Sequence, residues 1–297
     1  MNYDARELFA KIKEIGKEEA GILCNTEDDM SGYLEDTALF LSSQSSKNSF
    51  SSVTKAIIGI DLEPHYFYLN DFSNTDLIIT HHPIGKAQYN YYKIFSLYKY
   101  IFKSLDLEKN DKLIELGIQR LRSYSNSINS FMCDYLWKHK NRSVMCIHSI
   151  ADICANNYLN EIVVKFFNSS LKQMIECLSD IPAIKVYKYD NLFPYIALGR
   201  ENDVCGKIFI DMLNGVVEVP EYLEFLSVAG INTIITMHIT EEYLKQAKKS
   251  NINLINIGHV TADNLGMNLI LNKILKGTKI EVVFCGGFRR VSKLALT

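Results

Sequence analysis

The sequence lacks the long apolar segments that are typical of membrane proteins and the paired cysteines that are typical of disulfide-rich secreted proteins. Across 297 residues, no apolar run approaches the roughly 20 residues that a membrane-spanning helix requires. The seven cysteines are scattered, without a CxxC pair. An odd, dispersed set of cysteines in a chain of this size indicates reduced, mostly buried thiols. We therefore expect a cytoplasmic protein with no membrane partner.

An excess of positive charge is also missing. The chain carries 32 Lys and Arg against 34 Asp and Glu, a net charge of -2 with a pI of about 6.4. Nonspecific nucleic-acid binding relies on a broad positive field, so the composition disfavours that role, although it leaves room for a local patch. Hydrophobic residues make up 47% and charged residues 22%, the balance of a soluble globular protein rather than a disordered chain or a coiled coil.

Strand-like and helix-like segments alternate along the chain, which predicts an α/β protein. Residues 5–19 carry apolar side chains at helical spacing, and residues 55–61 and 76–80 have the composition of buried strands. We further predict strands at 143–148, 181–187, 232–236, 252–257 and 279–285. Helices are predicted at 156–168, 241–249 and 264–275, and a further helix leads from residue 170 into the strand at 181–187. Loops are predicted at 42–52 and 191–206.

One segment differs in character from the rest. Residues 89–142 carry many Tyr, Lys, Leu and Ile at helical spacing and almost no Gly or Pro. We predict two or three helices there, inserted between a pair of strands. The predicted domain organisation is an α/β core formed by residues 1–88 and 143–297, with residues 89–142 as a helical insertion.

Three predicted strands end in the same arrangement, in which a His follows a buried strand and a second His or a carboxylate lies nearby. Functional groups of α/β sheets gather at the carboxyl ends of strands, so these side chains converge if the strands are neighbours. The three sets are His81 with His82, His148 with Asp152, and His259 with Asp263.

Convergent imidazoles and carboxylates suit a divalent transition metal. Neutral His nitrogen and Asp oxygen match Zn, Mn, Fe or Ni. Three His and two Asp are more than one catalytic ion usually takes, and they fit two ions that share a bridging carboxylate. Such a pair, roughly 3.5–4 Å apart, lowers the pKa of a shared water and binds an oxyanion.

Each part of this pattern also has an ordinary structural explanation. A single His after a strand is more often a hydrogen-bonded structural residue, and His65 and His139 fit that description. Asp152 and Asp263 each lie near the start of a predicted helix, so N-capping competes with metal binding as their role. The recurrence at three strand ends is what favours the metal site.

The segment DLIITHHP at residues 76–83 resembles the signature of the Ngg-interacting-factor-three-like family. Its members are often described as GTP cyclohydrolase I type 2 homologues or dinuclear-metal-centre proteins. The family also has a central His-Thr-x-x-Asp motif and a C-terminal Gly-His-x-x-Thr-Glu-like motif. The matching stretches here are HSIAD at 148–152 and GHVTAD at 258–263, and the resemblance extends from about residue 53 to residue 291 with 89–142 as an insertion.

The resemblance implies a fold, an assembly and a set of ligands. The fold is α/β, with two similar interleaved lobes that contain mixed sheets, and the assembly is a homohexamer whose metal sites face an internal cavity. His148 would be a pocket residue, either beside Asp152 or as a proton carrier. Residues 232–242 would line the cavity, which makes His238 a weaker candidate against the alternative of a surface His at a helix start. The implied ligands of the two divalent transition-metal ions are His81, His82, Asp152, His259 and Asp263.

The sequence departs from the family pattern in three places. Asp263 stands where the bridging ligand is typically Glu, and because Asp is one methylene shorter the backbone must come closer to bridge two ions. Ser149 replaces the usual Thr. The family's Trp-Asp-Asn-x-Gly-Leu stretch is not apparent, and LEDTALFLSS at 34–43 occupies that region.

Two functions follow from the resemblance. The first is a metal-dependent hydrolase resembling GTP cyclohydrolase I type 2, in which a metal-activated water attacks GTP or a related nucleotide and His148 carries a proton. The sequence has no GxxxxGK[S/T] loop, so scattered basic residues would contact the phosphates of a nucleotide. The candidates are Lys86, Arg289 and Arg290. The alternative for each is an ordinary charged side chain at the surface, without a role in phosphate binding. The second function is a non-catalytic metal-binding or partner-binding scaffold of the same fold.

Overall fold

The structure is a computed structural model that describes residues 3–41, 51–63, 66, 75–107, 111–125, 142–213 and 219–294. Most of the predicted loop at 42–52 lies outside these residues. His65, His139 and two parts of the predicted insertion, 108–110 and 126–141, also lie outside them.

The described residues form two mixed sheets. The first sheet has the strand order β1-β4-β3-β2-β9 and the second has the order β5-β8-β7-β6. The strands are β1 Ala38–Leu41, β2 Lys55–Gly59, β3 Leu77–Thr80, β4 Ser143–Cys146, β5 Tyr195–Leu198, β6 Lys207–Asp211, β7 Ile231–Thr236, β8 Asn253–Asn256 and β9 Glu281–Cys285.

Each sheet consists of parallel strands with one antiparallel strand at an edge. In the first sheet β2, β3, β4 and β9 run parallel and β1 pairs antiparallel with β4. In the second sheet β6, β7 and β8 run parallel and β5 pairs antiparallel with β8. Thr80 is in register with Cys146, and Thr236 with Asn256, so neighbouring parallel strands end at the same level. The prediction of an α/β fold with two lobes and mixed sheets is confirmed.

Helices alternate with these strands along the chain. The α-helices are α1 Ala5–Cys24, α2 Lys86–Asn90, α3 Tyr98–Ser104, α4 Asp111–Ser125, α5 His148–Val163, α6 Leu171–Asp180, α7 Pro182–Lys185, α8 Tyr222–Val228, α9 Glu241–Lys249 and α10 His259–Ile274. Short 3-10 segments occur at Ser31–Tyr33, Tyr91–Leu97, Val164–Phe166 and Lys188–Asp190.

Helix α1 illustrates how local sequence and packing agree. The Asp4 side chain accepts hydrogen bonds from the backbone of Arg6 and Glu7, and the Glu7 side chain accepts one from the backbone of Asp4. This reciprocal capping satisfies backbone donors that a helix start leaves unpaired. The predicted apolar stripe enters the main core through Leu8 and Ile12. Within the described residues, no helix has both the length and the apolar character needed to cross a membrane.

Four predicted elements differ from the structure. The predicted strand at 181–187 is wrong, because Pro182 begins the short helix α7, where its fixed φ and missing N–H suit a first helical turn. The predicted loop at 191–206 contains edge strand β5, a strand of four residues that is defined by its pairing with β8. The helices predicted from 156 and 264 begin earlier, at His148 and His259.

Segment 89–142 contacts the second sheet through a buried carboxylate. Tyr98 of α3 and Tyr222 of α8 each donate a hydrogen bond to Asp211 at the end of β6. The hydroxyl groups of Tyr222 and Tyr243 lie 3.0 Å apart. All four side chains are buried, so this cluster joins parts of the chain that are far apart in sequence.

Candidate metal centre

The carboxyl ends of strands from both sheets meet at one place. His81 and His82 directly follow β3, and His148 follows its neighbour β4 after a single residue. His259 follows β8 of the other sheet. The rings of His82 and His259 are 5.0 Å apart between centroids, and those of His81 and His148 are 4.7 Å apart. The structure therefore brings together the histidines at the three strand ends, as the sequence predicts.

The two carboxylates reach this place from helices that begin with a His. His148 is the first residue of α5 and His259 the first residue of α10, so Asp152 and Asp263 lie one turn further along. Residues four apart share a helix face, which directs each Asp toward the same side as its His. The helix N-caps are Ile147 and Gly258, without a side-chain cap hydrogen bond. The capping explanation for Asp152 and Asp263 is therefore wrong.

Gly258 sets the start of α10. Its φ of 88° lies in the region that side-chain-bearing residues rarely adopt. A Cβ there would stand 2.8 Å from Thr261 Oγ1. The backbone N–H of Gly258 donates to Asn256 Oδ1 at 2.7 Å, which closes the turn between β8 and the helix. The turn directs His259 to the strand end.

Gly266 allows α5 and α10 to pack closely behind the carboxylates. A Cβ on Gly266 would lie 2.2 Å from the backbone oxygen of Ala151. A glycine inside a helix costs about 1 kcal/mol relative to alanine, so its presence here is explained by the helix contact. Ala151 precedes Asp152, and Gly266 is three residues after Asp263, so this contact also brings the two carboxylates toward each other.

One group of ligand atoms is fully enclosed. His81 Nε2 lies 3.4 Å from Asp152 Oδ1 and 3.2 Å from Asp263 Oδ1. The His81 and Asp263 side chains have no exposed area, and that of Asp152 is 4% exposed. We call these three side chains the inner group; they could hold one metal ion.

A second group lies on the other side of Asp263. His82 Nε2 and His259 Nε2 are 3.1 Å apart. Asp263 Oδ2 lies 3.6 Å from His82 Nε2 and 3.4 Å from His259 Nε2. This set, the outer group, could also hold an ion. Asp263 belongs to both groups and directs one carboxylate oxygen to each.

The spacing within both groups matches a transition-metal coordination shell. Ligands at about 2.0–2.1 Å from a tetrahedral zinc ion are separated from one another by about 3.3 Å. The measured separations, from 3.1 to 3.6 Å, are close to that value. Nitrogen and carboxylate oxygen are ligands that zinc, iron, manganese and nickel accept.

Unsatisfied polar atoms concentrate at the same place. No described residue makes a hydrogen bond to either ring nitrogen of His81, to Asp152 Oδ1 or to either carboxylate oxygen of Asp263. Burial of polar atoms without partners is costly. Burial, followed by the charges of Asp263 and Asp36, holds the pKa of Asp152 well above its usual range, and burial also raises the pKa of Asp263. A bound cation would stabilise both carboxylates, so the residues present fit a metal.

Two of the candidate ligands, His81 and His259, are in the protonation state that metal binding needs. Burial, with the charges of His148 and His82, holds the pKa of His81 well below its usual range. Burial lowers the pKa of His259 to about 4. These imidazoles are neutral at neutral pH and keep a nitrogen lone pair for a metal.

Asp61 orients His82 and was missed by the sequence analysis. Its Oδ1 lies 2.5 Å from His82 Nδ1, which leaves Nε2 for the outer group. Burial alone would lower the pKa of His82, but the hydrogen bond to Asp61 and the charges of Asp263 and Asp61 raise it overall. Carboxylates commonly orient metal-binding histidines in this way. The available signal was the acidic residue that ends the predicted strand at 55–61.

Asp36, within the stretch at 34–43, is a second missed residue. The buried Asp36 Oδ2 lies 3.0 Å from His148 Nδ1 and 3.2 Å from the backbone N of Ser149. His148 Nε2 lies 3.6 Å from Asp152 Oδ2, whereas His81 Nε2 is close to the other oxygen of that carboxylate. The ring of Tyr91 packs edge-on against His148, with centroids 4.6 Å apart. His148 thus lies between two carboxylates, beside the inner group.

His238 lies at the site rather than on the outer surface of a helix start. Its ring is 4.4 Å from that of His259 between centroids. Burial lowers the pKa of His238 to about 4. The family resemblance alone made it a weaker candidate, with a surface His at a helix start as the alternative.

The basic residues considered for phosphate binding differ in their surroundings. Arg289 contacts Asp190 at 2.7 Å and stacks over the ring of Tyr187. Arg290 donates to Asn268 Oδ1 at 2.9 Å. Both guanidinium groups thus anchor the C-terminal segment, whereas Lys86 is exposed at the start of α2.

Comparison with solved structures identifies the fold. A NIF3-superfamily protein from Sphaerobacter thermophilus matches with a TM-score of 0.67 at 17% identity, over 92% of this chain and 97% of the other. NIF3 denotes the Ngg-interacting factor three. The fold is that of the NIF3 superfamily. A Bacillus cereus protein related to NIF3 matches with a TM-score of 0.52 at 8% identity, over 96% of this chain and 97% of the other.

Reduced HcgD from Methanocaldococcus jannaschii has a similar fold. It matches with a TM-score of 0.56 at 13% identity, over 96% of this chain and 98% of the other. Neither protein-family models nor curated proteins give a match to the sequence. The resemblance expected from DLIITHHP is confirmed as a NIF3 fold.

Proposed function

We propose that the chain is a NIF3-family metal-dependent hydrolase with a dinuclear centre, acting on GTP or a related nucleotide as GTP cyclohydrolase I type 2 does. The observation that carries the proposal is Asp263, whose two oxygens face separate sets of ligand atoms at 3.2 to 3.6 Å. The inner group would hold one divalent transition-metal ion and the outer group another. A pair of such ions activates water and stabilises an oxyanion.

The residues around the two groups have distinct roles in this proposal. Asp61 Oδ1 lies 2.5 Å from His82 Nδ1, and this contact leaves Nε2 of His82 for the metal. Asp36 orients His148 from one side. His148 Nε2 faces Asp152 Oδ2, so His148 would hold a proton at that nitrogen and transfer it at the edge of the inner group.

Metal content tests the centre directly. We expect about two transition-metal ions per chain in protein purified without chelator, and a clear loss in Asp263→Ala because both groups lose a ligand. Asp180→Ala removes an exposed carboxylate that pairs with Lys185 and is the matched control. A parent protein that contains no metal and cannot be loaded would contradict the proposal.

Turnover decides between hydrolase and scaffold. The metal-loaded protein should release formate from GTP or hydrolyse a phosphate ester, whereas the alternative, a non-catalytic metal-binding or partner-binding protein, predicts only a rise in thermal stability on loading. One observation favours that alternative: His148 is 6% exposed and has a carboxylate next to each ring nitrogen. Absence of turnover in fully loaded protein would support the scaffold.

We also propose a cytoplasmic homohexamer. Exposed aromatic and aliphatic side chains close together in sequence, at Tyr189, Leu192, Phe193 and Tyr195, support subunit contacts. The buried free thiols of Cys24, Cys146, Cys154 and Cys205 support a reducing compartment. Light scattering that gives the mass of a single chain would contradict the assembly.

A further inference from the structure

His238 has an unusual environment among the described residues. It lies two residues past the end of β7, and its ring nitrogens are shielded from solvent although the residue as a whole is only half-buried. No described residue makes a hydrogen bond to either nitrogen. The polar atoms of this side chain therefore face inward without a partner, an arrangement that is costly unless a ligand completes it.

The backbone places the His238 ring beside the outer group. Thr236 Oγ1 accepts from the His238 backbone N–H at 3.4 Å and donates to its carbonyl at 3.3 Å, which holds the turn after β7. The His238 ring then packs against that of His259 at 4.4 Å and an interplanar angle of 67°. His82 packs against His259 in nearly the same way, at 5.0 Å and 65°.

We propose that His238 is a fourth protein ligand of the ion in the outer group, beside His82, His259 and Asp263. This inference rests on the dinuclear centre proposed above. The outer group supplies three ligand atoms, and a transition metal in a tetrahedral site takes four. The His238 imidazole, whose buried nitrogens have no hydrogen-bond partner among the described residues, packs against the ring of His259 and can supply the fourth.

The consequence is that the two ions differ in role. An outer ion with three imidazoles and one carboxylate has a closed set of protein ligands, which is typical of structural sites. The inner group offers three protein ligands, His81, Asp152 and Asp263, and so keeps an open position, which is typical of catalytic sites.

Cobalt titration tests the ligand. Metal-free parent protein, His238→Ala and His238→Gln would be titrated with Co²⁺ while visible absorption and chelator competition report ligand field and affinity. We expect the parent to bind two equivalents, and both variants to bind one of them at least about tenfold more weakly with an altered visible spectrum. The other equivalent should be unchanged.

Thr240→Ala is the matched structural control. Thr240 lies in the same turn, and its hydroxyl accepts from the Tyr243 backbone at 3.1 Å as the N-cap of α9. This variant disturbs the turn without removing a ligand, so both affinities and the spectrum should be those of the parent. If His238→Ala and His238→Gln also match the parent, His238 is not a ligand and the dinuclear centre still holds. A parent that binds fewer than two equivalents overturns the centre and the inference together.

Discussion

At the scale of single residues, Asp263 shows how a short side chain serves two sets of ligands. Its Oδ1 lies 3.2 Å from His81 Nε2 and its Oδ2 3.4 Å from His259 Nε2. Glu, the usual residue of the related family, would reach one methylene further. Here the backbone supplies that reach, because α10 approaches α5 so closely at Gly266 that a Cβ would not fit.

Removal of the Asp61 carboxylate should weaken metal binding without removing a ligand. In Asp61→Ala, His82 loses the partner that now lies 2.5 Å from its Nδ1, so the ring is free to turn and its Nε2 is less basic. We expect one of two metal equivalents to dissociate about 10- to 100-fold more readily in a chelator competition.

Asp61→Asn keeps an acceptor oxygen next to His82 and is the control for this experiment. It should lose less affinity than Asp61→Ala. Equal affinity in the parent and in Asp61→Ala would show that Asp61 does not orient His82.

At the scale of secondary structure, the site depends on two helices that begin in the same way. In α5 and α10 a His opens the helix and an Asp follows one turn later. Each helix follows a parallel strand, β4 in one sheet and β8 in the other. The crossing of the two helices then sets the distance between their carboxylates, so a change in helix packing is a change in the ligand geometry.

Gly266→Ala should therefore destabilise the fold and weaken metal binding together. The added Cβ would meet the Ala151 carbonyl oxygen at 2.2 Å, so the helices must move apart. We expect the free energy of unfolding of the metal-free protein to fall by about 2 kcal/mol, within the range of overpacked cores. Urea denaturation and metal content measure the two effects.

Gly32→Ala is the comparison for this variant. No atom lies within 4 Å of a Cβ at Gly32, and a change of stability within about 0.5 kcal/mol is expected for such a site. An increase in stability of Gly266→Ala, as helix propensity alone would give, would contradict the packing argument.

At the scale of the whole molecule, the sequence predicts the residues of the site better than the long-range contacts between them. Periodicity and strand-end histidines predict the α/β fold, and the structure brings His81, His82, Asp152, His259 and Asp263 together. The contributions of Asp36 and Asp61 depend on contacts over more than 20 residues in sequence, 112 for Asp36 to His148 and 21 for Asp61 to His82, and no local pattern encodes them. Edge strand β5 was missed for a similar reason, since its pairing with β8 is what makes it a strand.

Tyr98→Phe tests the long-range contact between segment 89–142 and the second sheet. The change removes one of two tyrosine donors to the buried carboxylate of Asp211 and leaves the ring in place. We expect the free energy of unfolding to fall by about 1–3 kcal/mol, as for a buried hydrogen bond to a charged group. Thermal or urea denaturation measures it.

Tyr89→Phe is the control, because Tyr89 is 62% exposed and its hydroxyl is not part of the buried cluster. It should leave stability unchanged within about 0.5 kcal/mol. If Tyr98→Phe behaves in the same way, the hydrogen bond to Asp211 does not stabilise the contact.

The Tyr98–Asp211 contact also limits how this chain can have arisen. An ancestor without segment 89–142 would have lacked the Tyr98 donor, and a descendant that lost the segment would keep Asp211 in an apolar core with one hydrogen bond fewer. Such an intermediate is disfavoured, so Asp211 and the segment should be gained or lost together in related chains. A shortened version made by protein engineering would need a substitution at Asp211 as well as a deletion.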